Sequence, residues 1–156
     1  MRAMPIHTER LTLEPITAAH ADELAPVLDD AALHAFTGGE PLAREALRDR
    51  YARLEGAEDW LNWAVRAAGQ PVGYVQATVV GDVADVAWVI GTAHQGRGYA
   101  REAAAAMVAW LRGQGVTTIA AAIHPAHAAS NAVARHLGLE PGAPREDGEI
   151  RWVSRS

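Results

Sequence analysis

"VAWVIGTAHQGRGYAREAAAAMVAWLRG", residues 86–113, runs through three kinds of backbone in succession. A run of β-branched and aromatic residues comes first, then two glycines around Arg97, then an alanine-rich stretch. Glycine is the poorest ordinary helix residue and alanine the best. The spacing therefore predicts a strand over 83–90, a turn, and a helix from about Ala100 to Arg112 ended by Gly113. Glycines directly ahead of a helix have two readings. Either they make the turn and nothing more, or they let an anion approach the unpaired amides and positive dipole end of the helix.

Working outward, "RLTLEPI" (10–16) alternates as a first strand, and "TAAHADELAPVL" (17–28) is a helix with Thr17 as its cap. A glycine-rich loop, "FTGGEP" (36–41), precedes a second helix over 42–55 with Leu47, Tyr51 and Leu54 on its apolar side. Strands over 60–67, 70–80 and 83–90 are separated by breaks short enough for antiparallel hairpins. Beyond the alanine-rich helix come a strand over 116–124, a helix over 128–137 closed by Gly138, and a last strand over 149–154. Strand, helix and strand across 84–124 form a right-handed crossover, so 83–90 and 116–124 are expected as parallel neighbours or near neighbours. The expectation is one α+β domain over residues 1–156. Its sheet is mixed and mostly antiparallel, with one parallel pair and flanking helices.

Composition narrows the function classes. The 156 residues contain no cysteine, so disulfides, thiolate metal sites and a cysteine nucleophile are excluded. The seven histidines form no H-x-x-x-H or H-E-x-x-H pair, and no metal site is expected. A formal charge of −5 argues against a nucleic-acid partner and suits a cationic substrate better. No apolar run approaches the ~20 residues of a membrane helix, and the N-terminus lacks a secretory apolar core. A cytoplasmic soluble domain with no membrane partner is the expectation. The G-x-G of the loop lacks the third glycine and following acidic residue of a dinucleotide fingerprint, and it is not the G-x-x-x-x-G-K-[ST] phosphate loop.

The combination "VAWVIGTAHQGRGYA" plus amphipathic helix resembles motif A of the GNAT superfamily of acetyl-CoA-dependent N-acetyltransferases. Gln95, Gly98 and Ala100 fill the defined places of that family's Q/R-x-x-G-x-G/A loop. "HPAHAASNAVARHLGL" (124–139) is similar to a second family segment, matching at His124, Pro125, Ser130, Val133 and Gly138. The opening "TERLTLEPITAAHADEL" (8–24) resembles the RimJ and RimL branch.

This resemblance implies a sheet splayed around acetyl-CoA, with no metal. Backbone groups near Val89 and Ile90 would hold the pantetheine, and Gln95, Gly96, Arg97, Gly98, Tyr99 and Ala100 the pyrophosphate. Ser130 matches a serine that stabilises or protonates the leaving thiolate; the alternative is a first-turn serine bonding its own helix. His127 stands where the family has asparagine, either as a cofactor contact or as a helix N-cap. The family tyrosine is absent from 134–139, and its strand glutamate corresponds to Ala84. The nearest carboxylate is Asp85, the candidate base, which a regular strand turns to the other face.

The implied acceptor is an amine, either a protein or peptide N-terminus or a small amine such as an antibiotic or polyamine. A non-catalytic acyl-CoA-binding module is the competing class. The acceptor pocket is expected from the 36–41 loop, Trp60 or Trp63, Tyr74 and Gln76. The last strand is expected either as an exposed edge or as the pairing edge of a homodimer.

Overall fold

A computed structural model describes residues 1–30, 33 and 41–154. The expected 36–41 loop falls outside them except for Pro41, as does His34. Chain order is β1 (Ile6–His7), β2 (Leu11–Pro15), α1 (His20–Leu28), α2 (Arg44–Leu54), β3 (Trp60–Ala67), β4 (Gln70–Val80), β5 (Val83–Ile90), α3 (Tyr99–Gly113), β6 (Thr118–Ile123), α4 (Ala128–His136), β7 (Leu139–Pro144) and β8 (Ile150–Ser154).

The strands form one sheet in the order β1-β2-β3-β4-β5-β6-β8-β7. Every pairing is antiparallel except β5 with β6, so the mixed, mostly antiparallel α+β class holds. Hairpin turns set the long central strands. Ala68 and Gly69 have φ of 51° and 78°, and Gly81 has 62°, the left-handed conformations that tight turns demand. Two expectations need correction. The last strand is neither an edge nor available to a second copy, because β8 lies between β6 and β7. Thr17 does not cap α1 with its hydroxyl; its backbone N–H donates to His20 Nδ1 at 2.9 Å, and Ala19 stands at the N-cap.

The parallel pair is short. Val83, Ala84 and Asp85 pair with Thr118, Ile119 and Ala120, and there the ladder stops. From that point β5 stays with β4 as far as Ile90, while β6 stays with β8 as far as Ile123. The two strands part and leave a gap in the sheet.

Different helices cover the two faces. On one, Ala103, Ala104, Met107 and Leu111 of α3 are fully buried against Trp63, Val65, Ala84 and Trp88. Full burial of each large apolar side chain contributes about 1.5–3 kcal/mol, which fixes α3 to the sheet. On the other face, Leu24 of α1 and Leu47, Tyr51 and Leu54 of α2 pack on Ile16 and Ala64.

Candidate active site

The gap opens into a cavity of about 830 Å³ that reaches both faces of the sheet. Its wall includes Val89, Ile90, Gln95, Gly96, Gly98, Tyr99, Ala100, His127 and Ser130. The structure thus brings most of the expected cofactor residues to one place. Arg97 and Asp85 are not on that wall.

Alternation along β5 decides which backbone groups face the gap. Gly91 N–H donates to Val72 O at 2.8 Å, and the register pairs Ile90 with Gly73 and Val89 with Tyr74. In an antiparallel ladder the residues alternate between bonding the partner strand and facing away. Val89 therefore spends its amide and carbonyl on β4 and offers the cavity its side chain. Trp88 and Ile90 turn their backbone groups to the gap. Ile90 O accepts from Gln95 Nε2 at 2.9 Å, so the glutamine ties the loop to the strand.

Gly96 and Gly98 have φ of 80° and 79°, and Gly98 is the N-cap of α3. The turn itself thus demands glycine; a Cβ at Gly96 would meet nothing within 4 Å, and one at Gly98 would lie 3.3 Å from Arg10 Nη2. Among the described residues the amides of 96–98 donate to no acceptor, and those of the first α3 turn are orphans by helix geometry. The cradle therefore fits a phosphate group.

One residue holding this loop had no sequence signal. Arg10, just ahead of β2, donates from Nη1 to Arg97 O at 2.8 Å and from Nε to Glu102 Oε1 at 2.7 Å. Its guanidinium also lies 5.0 Å from the Tyr99 ring centre. Burial raises the Glu102 pKa, but hydrogen bonds from Thr8 and Arg10 outweigh it and hold the carboxyl below its ordinary value.

Across the gap, His127 is the N-cap of α4, and its Nδ1 accepts the Ser130 N–H at 3.3 Å. Burial lowers the pKa of His127, so the ring is neutral at pH 7. An accepting Nδ1 places the remaining proton on Nε2, which lies 3.2 Å from Ser130 Oγ. Ser130 then receives from His127 and keeps its own proton to donate into the cavity.

Asp85 is exposed and pairs with Arg151 Nη1 of β8 at 3.1 Å, outside the cavity and apart from Ser130. Trp63 is a core residue, edge-to-face with Trp110 at 5.5 Å, and Trp60 is exposed and off the wall. Tyr74 and Gln76 do line the cavity, joined by Arg50, Tyr51 and Asn62, which the sequence did not single out for the site. Glu149 is the one carboxylate on the wall among the described residues, standing beside β8 whose Ile150 pairs with Ile123.

The sheet is splayed beyond one short parallel pair, and an anion cradle stands at the start of the crossover helix beside the gap. Residues 10–140 match the family model of the acetyltransferase (GNAT) domain, and the chain belongs to that acetyltransferase family. Its fold is shared with RimL, a ribosomal L7/L12 alpha-N-protein acetyltransferase solved with coenzyme A. The TM-score is 0.85 and the identity 15%, over 96% of this chain and 97% of that one. A GNAT-family acetyltransferase from Bacillus anthracis gives 0.81 at 20% identity, over 96% of each chain. The microcin C7 self-immunity acetyltransferase, solved with acetyl-CoA and AMP, gives 0.82 at 15% identity over 96% and 94%. Likeness at such identity establishes the fold. Among curated proteins none matches this chain.

Proposed function

We propose that this protein transfers an acetyl group from acetyl-CoA directly to an amine that is partly neutral near pH 7. The observation that carries the reading is the set of unpaired amides at 96–98 ahead of α3, opening onto the gap between β5 and β6. Bound acetyl-CoA supplies the acetyl group as an activated thioester. The cradle at 95–100 holds its pyrophosphate, while the amides of Trp88 and Ile90 face the gap and donate to its pantetheine and thioester carbonyl. Such fixed donors typically contribute about 3–4 kcal/mol. Ser130, oriented by His127 Nε2–H, gives its proton to the departing sulfur as the C–S bond breaks and the N–C bond forms. A water takes the proton lost by the amine, and solvent returns a proton to Ser130, so that the amine proton is in balance the one carried off on the thiol.

Asp85 enters no step, since its carboxylate is held by Arg151 on the outer surface. With Asp85 outside the cavity and water taking the proton in this reading, the acceptor must supply its own neutral form. An α-amine of pKa ~7.7–8 needs about 1 kcal/mol for this at pH 7, against nearly 5 for a lysine at ~10.4. Peptide N-termini are therefore the favoured acceptors, in keeping with the RimJ/RimL-like sequence opening and a cytoplasmic role.

The test is thiol release by wild type and Ser130→Ala with a peptide N-terminus. The expected loss in kcat is on the order of tenfold to a thousandfold, with acetyl-CoA affinity little changed. Unchanged turnover would return Ser130 to a purely structural place in α4. The pH midpoint of kcat/KM should follow the acceptor's pKa when acceptors of different pKa are compared. A midpoint fixed for all of them would show that an enzyme group titrates and would refute the base-free step.

A further inference from the structure

The acceptor face of the cavity carries polar groups that nothing among the described residues satisfies. Asn62, Gln76 and Ala87 stand abreast on β3, β4 and β5, with Ala64, Tyr74 and Val89 abreast beside them. Over this floor α2 lays Leu47, Arg50, Tyr51 and Leu54, all on the cavity wall. Tyr51 is 5% exposed and Asn62 6%, yet Tyr51 Oη and Asn62 Nδ2 have no hydrogen-bond partner among the described residues. Native chains pair nearly all their buried polar groups, and exceptions at a cavity wall call for an explanation. A ligand group that hydrogen-bonds both is one.

Arg50 adds a charge to the same wall. Arg44 and Arg48 of α2 are taken by Asp22, whereas Arg50 makes no ion pair among the described residues. Its positive charge acts on the phenols of both Tyr51 and Tyr74. The remaining wall on this face is apolar, with Ile16, Leu28 and Leu42. Among the described residues it has no carboxylate, because Glu149 stands on the β6–β8 side. The net charge of −5 therefore does not describe this surface.

We propose that Arg50, Tyr51 and Asn62 form the acceptor-recognition subsite, selecting an amine whose apolar body ends in a carbonyl or carboxylate. The proposal rests on the acetyl-transfer reading above and narrows its substrate. β3 lies two strand spacings from β5, so the recognised group sits about 10 Å from the reacting nitrogen. Three extended residues cover that length. A carboxylate would pair with Arg50, and a carbonyl would accept from Tyr51 or Asn62. An acceptor with a second cation at that end meets Arg50 and, among the described residues, no counter-charge, so polyamine-like substrates are disfavoured.

The experiment measures binding to the protein saturated with coenzyme A, where no transfer takes place. Three peptides are titrated calorimetrically: Leu-Ala-Leu, its C-terminal amide, and Leu-Ala-Lys amide. The acid should bind about tenfold or more tighter than the lysine peptide, with the amide between. Arg50→Gln should bring the acid down to the level of the amide. Asn62→Leu should weaken both leucine peptides while raising the melting temperature, because it removes an unpaired buried amide. Neither variant should alter coenzyme A affinity. Equal binding of acid and amide, both above the lysine peptide, supports the subsite with a carbonyl as the recognised group.

Equal or tighter binding of the lysine peptide would overturn the proposal. So would variants that bind all three peptides as wild type does. Arg50-dependent binding without thiol release from acetyl-CoA would refute the transfer reading and leave the subsite standing. Thiol release at equal kcat/KM for all three peptides would refute the subsite and leave the transfer standing.

Discussion

Replacing Arg10 with alanine tests whether a side chain remote in sequence holds the cofactor loop. Three contacts are lost together: the ion pair with Glu102, the hydrogen bond to Arg97 O and the stacking on Tyr99. Arg10 is 46% exposed and Glu102 21%, so the ion pair contributes no more than about 1 kcal/mol. An exposed cation–π contact adds about 0.5–1 kcal/mol. A charge-assisted bond to a carbonyl adds about 1 kcal/mol once solvent screening is allowed for. Because the three share one ordered side chain, the sum is nearer 2 than 3 kcal/mol, an order-of-magnitude figure. For a chain of this size that lowers the melting temperature by about 4–8 °C. Freeing Arg97 and Tyr99 also loosens the cradle, and coenzyme A affinity should fall about tenfold, equivalent to ~1.4 kcal/mol. Arg10→Lys is the control, since it keeps the charge but cannot bridge Arg97 and Glu102 at once. Calorimetric melting and coenzyme A titration of the three proteins give the answer. Wild-type affinity and melting temperature in Arg10→Ala would refute a positioning role. Full affinity in the lysine variant would show that charge alone matters.

Two further outcomes follow from the sheet and its outer face. Arg66 donates to Glu14 and to both carboxylate oxygens of Glu23. Burial raises the Glu14 pKa, but Arg66 and His20 outweigh it; Arg66 is the main cause at Glu23, and both end below the ordinary 4.5. Groups with depressed folded pKa values give stability that is present above the unfolded value and lost as pH falls through the folded ones. The melting-temperature advantage of wild type over Arg66→Gln should thus be full at pH 7 and shrink below about pH 4.5; an advantage constant down to pH 3 would exclude the linkage. Gly73→Ala would drive a Cβ into the Val89 carbonyl oxygen and to 2.9 Å from Ile90 Cα, where backbone meets backbone. Overpacking of this kind costs about 3 kcal/mol, a fall of roughly 6–12 °C, and a change under about 2 °C would show that the β4–β5 register yields freely.

The three central strands were legible to the residue because their breaks carry glycine at positive φ. β7 was not. Its "LEPGAP" holds two prolines and a glycine, which spoil a strand pattern yet are tolerated on an edge. β1 is two residues long, too short to show alternation. Gln95, Gly96, Gly98 and Ser130 were readable because turn and helix-start chemistry is local. Asp85 fell outside the cavity because its side chain answers to a distant partner, Arg151, and Arg97 lies off the wall as well, its backbone carbonyl held by Arg10. The tryptophans misled for a related reason, since parity alone did not say which face of β3 meets α3 and which the cavity. Asn62 did leave a signal, a lone amide within the apolar "WLNWAVRA", where a buried polar group needs a partner. Arg50 and Tyr51 left none, because only packing of α2 over the gap gives them a role.

The most direct trial of the cradle as the acetyl-CoA site is a comparison of Gly98→Ala with Gly98→Asp. Both force a side chain onto a backbone at φ 79°, at a strain of about 1–2 kcal/mol, and put a Cβ 3.3 Å from Arg10 Nη2, but only aspartate brings a negative charge to the unpaired amides. Thiol release and acetylated peptide are measured together for wild type and both variants, with coenzyme A affinity by calorimetry. Wild type should yield one acetylated amine per thiol, alanine should retain measurable binding and turnover, and aspartate should abolish both. Normal coenzyme A binding by a folded Gly98→Asp, or thiol release by wild type without acetylated amine, would contradict the assignment.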